Sequence, residues 1–467
     1  MKRKSKVKNQ LEMLDSYGRA LIKSPGSSTS TGDDQVVDFL SQLRDQHNST
    51  QALLTKVMEY GNLNKAVRQV KKNKGSSGVD GVEIEEMISW LVGHKEELVS
   101  SVLEGDYQVS GVKMVEILKP EGGKRILGIP TVLDRTIQQA IHQQMNPLYD
   151  RHFSESSYGF RPNRNAQMAV KQASEYVKTG MVWVVDIDLE KYFDTIPHDR
   201  LMQRLSKGIG DKRLLRLIHQ YLKAGMMKGG LESQRIKGSP QGGPLSPLLS
   251  NIVLDELDKE LEKRGHKFCR YADDCNVYVK SRKAGERLMN SLIDFIEGKL
   301  KLKVNREKSG VRHCSEVKFL GFTILSDGRI RVSDKSIKRL KQKIIMITKR
   351  NRGYKFSAII AELNQMIQGW SVYYSTANAY LSTIRDIDGW MRRRLRSYRL
   401  KQCGKVYTVV KFLKSLGIPE RKCWNAAYYR QWWSMAIYPE VSQSMGIKWF
   451  EDQGLRSLQM TMKRYNN

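Results

Sequence analysis

Two adjacent carboxylates, Asp273 and Asp274, lie between runs rich in β-formers in the stretch Phe268-Cys269-Arg270-Tyr271-Ala272-Asp273-Asp274-Cys275-Asn276-Val277-Tyr278. The pattern predicts a hairpin with the acids at its tip. Successive strand side chains point to opposite faces, so neighbouring acids can share one ion only near a turn. Alone, an Asp-Asp pair reads most simply as a solvated turn. A second acidic stretch shifts that weighing. Residues 181–188 (MVWVVDID) form a nearly continuous apolar run ending in acids, with Asp186 and Asp188 on one strand face. An acid at the end of a buried strand is costly unless paired or metal-bound. Asp188 and the pair at 273–274 are therefore predicted to meet around a shared cation.

Groups able to handle phosphate lie elsewhere. Residues 112–118 and 124–130 predict two strands joined by the turn 119–123, with Lys119, Lys124 and Arg125 at the tip. These cations are either solubilising charge or a hold on a triphosphate, whose negative charge needs fixed positive partners. The loop 71–81 (KKNKGSSGVDG) is either a surface turn or a phosphate contact through lysines and backbone N–H groups. In 237–247 (KGSPQGGPLSP) the glycines allow close approach to a ligand, and Gln241 offers both donor and acceptor. Ser246 and Pro247 there predict a capped helix start. In 157–164 (SYGFRPNR) aromatics alternate with arginines, a pattern suited to single-stranded nucleic acid.

Helical periodicity supplies the supports. It predicts helices over 36–70, around the stripe Ile137, Ile141, Met145 and Leu148, as a helical hairpin at 198–225, along Leu249, Val253, Leu257 and Leu261, and over 282–300. Residues 317–324 (VKFLGFTI) read as a further hairpin edge. Between 331 and 403 there are 17 Lys/Arg against 4 Asp/Glu. Leu381, Ile384, Met391 and Leu395 form a candidate buried stripe there, with Arg392, Arg393, Arg394, Arg396 and Arg399 crowding the rest of the helix. Charge this one-sided is best explained by a phosphate backbone. In 404–467, Trp424, Trp432, Trp433 and Trp449 are expected as aromatic core.

Composition agrees. Lys+Arg number 80 against 49 Asp+Glu over 467 residues, a formal charge of +31 and a pI near 9.8. Such an excess attracts polyanions. No apolar run approaches the roughly 18 residues of a membrane span, and MKRKSKVKNQ leads into no signal-peptide core. Five cysteines without a C-x-x-C argue against a disulfide framework or zinc knuckle and for a reducing, cytoplasmic setting.

Taken in order, NKGSSGVDG, LKPEGGKRILGIPTVLDR, SYGFRPNRNA, DLEKYFD (188–194), GSPQGGPLSPLLSNIVLDELD, YADD (271–274) and FLGF resemble the blocks of bacterial group II intron-encoded reverse transcriptase/maturases, from about residue 62 to the C-terminal end. The resemblance implies an α+β right-hand polymerase. Its parts would be a basic flexible segment (1–35), an N-terminal extension with fingers (36–180), an antiparallel-sheet palm (181–330), a helical thumb and maturase domain X (331–403), and a basic helical C-terminal extension for maturase and DNA binding (404–467). It further implies that Asp188, Asp273 and Asp274 are catalytic and hold two Mg²⁺ ions, with Mn²⁺ as a substitute. Lys119 and Arg125 would contact the triphosphate and Gln241 the incoming dNTP, beside Leu189. Tyr192, or else Phe193, would exclude a ribose 2′-hydroxyl. Lys308 would sit by the pyrophosphate as proton donor. Arg161, Phe319, Leu320 and Gly321, with Arg392, Arg393 and Arg396, would hold primer and template.

The implied function is RNA-directed DNA synthesis joined to intron RNA binding, splicing and retrohoming by target-primed reverse transcription. Partners would be group II intron RNA, RNA template, DNA primer and target DNA, with no membrane; oligomeric state is left open. The alternatives are a reverse transcriptase in defence or repair, or a splicing-only maturase. Many relatives also carry a Cys/His-rich HNH nuclease; with no such cluster before Asn467, second-strand cleavage is not expected and mobility would need single-stranded or nicked targets.

Overall fold

The computed structural model describes residues 50–118, 124–228, 231–233, 238, 242–429 and 431–466. Lys119, Gln241 and the basic segment 1–35 lie outside the described residues, as does the Arg125 side chain. Among the described residues the strands are β1 (Val112–Leu118), β2 (Lys124–Ile129), β3 (Trp183–Ile187), β4 (Met226–Lys228), β5 (Leu231–Ser233), β6 (Lys267–Tyr271), β7 (Asp274–Val279), β8 (Gly310–His313), β9 (Phe322–Ile324) and β10 (Ile330–Val332). No helix there is long and apolar enough to cross a membrane.

Compactness does not follow consecutive blocks of sequence. Of the described residues, those within 1–155, 189–260 and 292–305 form one unit and those within 156–188, 261–291 and 306–467 the other. In the first, β1 pairs antiparallel with β2 and parallel with β4, and β5 closes the order β2-β1-β4-β5. The expected helix over 36–70 is described from residue 53 and is broken: Leu53–Met58 and Tyr60–Asn73 meet at Glu59, whose φ −55° and ψ 138° leave the helical region. The helix Val132–Asp150 buries Ile137, Ile141 and Met145 as its stripe predicts, with Leu148 only half-buried, and Thr131 caps it by accepting from Asp134 N. The predicted helical hairpin is His198–Gly208 followed by Lys212–Lys223, the second capped by Asp211.

In the second unit β6, β7, β3 and β8 pair antiparallel throughout, in that order. The helix Ala166–Lys178 sets Ala169, Val170, Ala173 and Val177 against Val184, Cys269 and Tyr278 of the sheet. Small residues on the helix allow that close approach. The expected helix 282–300 is helical over its full span, Arg282–Asp294 as α and Phe295–Leu300, which belongs to the first unit, as a wider π turn. The long helix Leu381–Cys403 buries Ile384, Ile387, Met391, Leu395 and Tyr398. Trp424, Trp432 and Trp449 pack on the apolar cluster of the C-terminal helices. All five cysteines are free thiols.

Candidate active site

The acids are brought together by strand register. Asp186 lies opposite Asn276, and Ile187 opposite Cys275, so Asp186 and Asp188 at the end of β3 share a face with Asp274 and Asn276 of β7. β6 and β7 are joined by only two residues, Ala272 and Asp273, because Tyr271 pairs with Asp274. Of those two, only Ala272 has positive φ (58°), as at the first central position of a type II′ turn. That position ordinarily takes glycine, so the turn is locally strained.

The strain is held by neighbours. Arg270, fully buried, donates from Nη1 to the Ala272 carbonyl at 2.9 Å and from Nη2 to Ser157 Oγ at 2.8 Å. Tyr158 N donates to the Arg270 carbonyl and Arg270 N to the Ser156 carbonyl, so residues 156–158 run along β6. A Cβ on Gly159 would overlap the Ala272 backbone nitrogen. The block 157–164 thus buttresses the acidic turn. Arg161, expected at the template, is 8% exposed and donates to the Ser157 carbonyl at 3.0 Å; Phe160 remains half exposed. The alternation of aromatics and arginines concealed this, because burial depends on which strand the loop meets.

Electrostatics mark the acids as unbalanced. Burial, followed by Asp186, Asp273 and Asp188, pushes the Asp274 carboxyl up to about 8. Burial also raises Asp186, opposed by Arg312, which donates from Nη1 to Asp186 Oδ2 at 2.8 Å. Arg312 Nη2 holds the Lys308 carbonyl at 2.7 Å, and the Lys308 ammonium lies 3.8 Å from Asp188 Oδ2. Ser309 Oγ accepts from Asp188 N at 2.9 Å and donates to the Asp188 carbonyl at 3.3 Å. Asp188 keeps 42% of its side chain exposed, so it is fixed through its backbone and open at its carboxylate. Sequence reading missed Arg270, Ser309, Arg312 and Asn276; for Arg270, Asn276 and Arg312 the signal was a charged or amide residue inside a strand, while Ser309, just before β8, gave none.

Among the described residues no three His, Cys, Asp or Glu side chains close into a cage by themselves. The acids are an open, oxygen-only set, which fits Mg²⁺ because that ion keeps waters and substrate phosphates as ligands. Among the described residues, the fully buried Asn276 amide, opposite Asp186, has no hydrogen-bond partner for Nδ2 or Oδ1. It adds donor and acceptor capacity on the acidic face, as a hydrated cation requires.

The remaining expected residues are placed as follows. Leu189 bridges to Val304, and Tyr192 is buried with its hydroxyl donating to the Ser250 carbonyl at 2.8 Å. Phe193 is half-buried and meets Tyr192 edge to face. Gly242, at φ 132°, approaches the Gly128 carbonyl of β2, so that glycine serves the chain's own packing. In the loop 71–81, Arg135 donates to the Ser76 carbonyl at 2.6 Å. Phe319 and Phe322 exchange both backbone hydrogen bonds around Leu320 (φ 52°) and Gly321 (φ 83°), a type I′ pattern. Tyr373 Oη and Ser336 Oγ donate to the carbonyls of Leu320 and Gly321.

The arginine run differs from its expectation. Arg393 stacks on Trp433, 3.9 Å from the ring centroid, and Arg396 donates to the Ala436 and Met445 carbonyls at 2.8 and 3.2 Å. Arg394 donates to Thr348 Oγ1, and Arg399 lies over Phe412. These side chains fasten the long helix to its neighbours. Arg392 has no hydrogen bond or ion pair among the described residues.

Residues 117–324 match the family described as reverse transcriptase (RNA-dependent DNA polymerase), and 337–414 match the group II intron, maturase-specific domain. Protein YkfC of Escherichia coli K12 is 33% identical over 60% of this chain and 83% of its own length. The group II intron-encoded protein LtrA of Lactococcus lactis is 29% identical over 59% of this chain, and the match spans 57% of LtrA. A solved partial Cas6-RT-Cas1–Cas2 complex aligns at 25% identity over 52% of this chain and 42% of that chain, with a TM-score of only 0.35. With reverse-transcriptase and maturase-specific sequence in that order, and relatives encoded by group II introns, the chain belongs to the group II intron-encoded reverse transcriptase/maturases, RNA-directed DNA polymerases with mixed α and β structure.

Proposed function

We propose that this protein extends a DNA primer on an RNA template with two Mg²⁺ ions held by Asp188, Asp273 and Asp274, and that its maturase region binds group II intron RNA to assist splicing and target-primed retrohoming. The observation that carries the reading is the convergence of Asp188 and Asp274 on one sheet face, where the carboxylates raise one another's proton affinity. Such a set gains most from divalent cations. Bound there, the ions would activate the primer 3′-hydroxyl and neutralise the triphosphate and leaving oxygen.

The chain's own groups do the positioning. Ser309 pins the Asp188 backbone, and Arg312 fixes the Lys308 backbone beside it. Lys308 is thereby held where it can give a proton to the departing pyrophosphate. Phe193 rather than Tyr192 is the better steric gate against a 2′-hydroxyl, since Tyr192 is buried and tied to Ser250. The turn at Leu320-Gly321, held by Tyr373 and Ser336, is a rigid support for the primer end. Lys119, Arg125 and Gln241 keep the nucleotide-binding roles that the sequence resemblance implies, and Mn²⁺ is expected to substitute for Mg²⁺.

The test is primer extension on an RNA template with Asp273→Ala. Extension should fall about a thousandfold, several kcal/mol of transition-state stabilisation, while RNA binding is retained. Persistent extension by the variant would overturn the assignment.

A further inference from the structure

A cavity of about 200 Å³ opens among Thr348, Arg350, Trp390, Arg394, Ser397 and Trp433. None of these six residues is acidic, and neither arginine forms an ion pair with a carboxylate among the described residues. The buried Thr348 and Ser397 hydroxyls are the arginines' partners: Arg394 Nε donates to Thr348 Oγ1 at 2.6 Å, and Arg350 Nη1 to Ser397 Oγ at 3.4 Å. Arg394 lies 5.3 Å from the Trp390 ring centroid, while Arg393 covers Trp433. Burial and the neighbouring Arg350 both lower the Arg394 proton affinity, so the two guanidiniums share a half-buried space without a counter-charge. An entering anion would relieve that repulsion.

We propose that this pocket captures one unpaired nucleotide of a single-stranded RNA, with its base against the Trp390 and Trp433 indoles and its phosphate on Arg350 and Arg394. Indole faces accept any base, and guanidiniums match phosphate with paired donors. Size selects the ligand class. Sites for free small molecules usually run to about 300–1,000 Å³, so a cavity of about 200 Å³ suits one unit of a polymer. The inference rests on the RNA-binding reading above, but uses none of the groups assigned to polymerisation.

The test uses the full chain saturated with a template–primer duplex, so that the polymerase channel is already filled. A fluorescent oligouridine octamer carrying 4-thiouridine is then titrated and photo-crosslinked. The octamer should still bind and should crosslink to the peptides carrying Trp390 or Trp433. Trp433→Leu should weaken it about tenfold, the loss of one base stack. Arg350→Ala, an exposed position whose loss leaves the fold intact, should lower the log–log salt slope by about 0.7. Both variants should extend a primer on an unrelated RNA template at the wild-type rate. Unchanged affinity in both variants, crosslinks elsewhere, equal binding of an abasic octamer, or equal competition by oligoglutamate would each overturn the pocket. Failure of wild-type primer extension with these crosslinks intact would remove the polymerase reading and leave the pocket standing.

Discussion

The acidic end of the β6-β7-β3-β8 sheet and the arginine face of the helix Leu381–Cys403 look alike in sequence: dense like charge set into an apolar pattern. In the fold they behave oppositely. Asp186, Asp188 and Asp274 share one face and drive the Asp274 carboxyl up to about 8, with Arg312 and Lys308 the cations beside them. On the helix, Arg393, Arg396 and Arg399 turn to carbonyls and aromatic rings and Arg394 to a hydroxyl with no carboxylate paired to it, while Arg392 has no hydrogen-bond or ion-pair partner among the described residues. Burial and the neighbouring Arg392 and Arg393 push Arg396 down to about 10, the mark of a cation enlisted in packing. A run of charge therefore identifies a ligand surface only where the fold leaves the charge unanswered.

That contrast can be broken experimentally. The largest effect is expected from Asp188→Ala, which should cut Mg²⁺-dependent extension about a thousandfold with the thermal midpoint nearly unchanged; a drop of tenfold or less would mean that the acids serve structure. Next comes pH. The folded Asp274 carboxyl binds its proton more tightly than the unfolded one, whose pKa is about 3.9, so the folded state holds more protons across that interval. Stability from this group is full below about 4 and is lost as pH climbs toward about 8. Urea unfolding in chelator should therefore show declining stability from pH 5 to 8, restored by Mg²⁺ and flattened in Asp274→Asn. A pH-independent midpoint would dissolve the electrostatic half of the comparison.

On the basic side, Arg396→Ala should cost about 2 kcal/mol by stranding the Ala436 and Met445 carbonyls, seen as a lowered midpoint with little change in extension. Arg392→Ala should do the reverse: unchanged stability, and an RNA-binding salt slope smaller by about 0.7. Equal stability losses in both variants would erase the distinction between enlisted and free arginines. The smallest effect is expected from Ala272→Gly, which relieves a positive φ and should raise unfolding stability by at most about 1 kcal/mol.

Much of this was legible in the residues. Period-two and period-3.6 patterns located β1, β3, the β6–β7 hairpin and the helices Val132–Asp150 and Leu381–Cys403. The loss was greatest where a pattern serves two ends. The aromatics and arginines of 157–164 look like a nucleic-acid surface, yet Gly159 and Arg161 pack on or beside the acidic turn. The break at Glu59 and the π turn at Phe295–Leu300 left no periodic trace, because both preserve the apolar stripe on either side.

By itself the sequence determined the types and order of the chemical groups: which acids, which cations, and the alternation that puts Asp186 and Asp188 on one strand face. That follows from backbone geometry, which is local. Only the tertiary structure decided that a face of β3 meets the same face of β7, that Ser309 and Arg312 fix the groups around Asp188, and that carbonyls hold Arg396 while Arg392 has no such partner among the described residues. Those outcomes depend on partners roughly ninety or more residues away along the chain or on other helices, and no local rule encodes which side chain a neighbour will present.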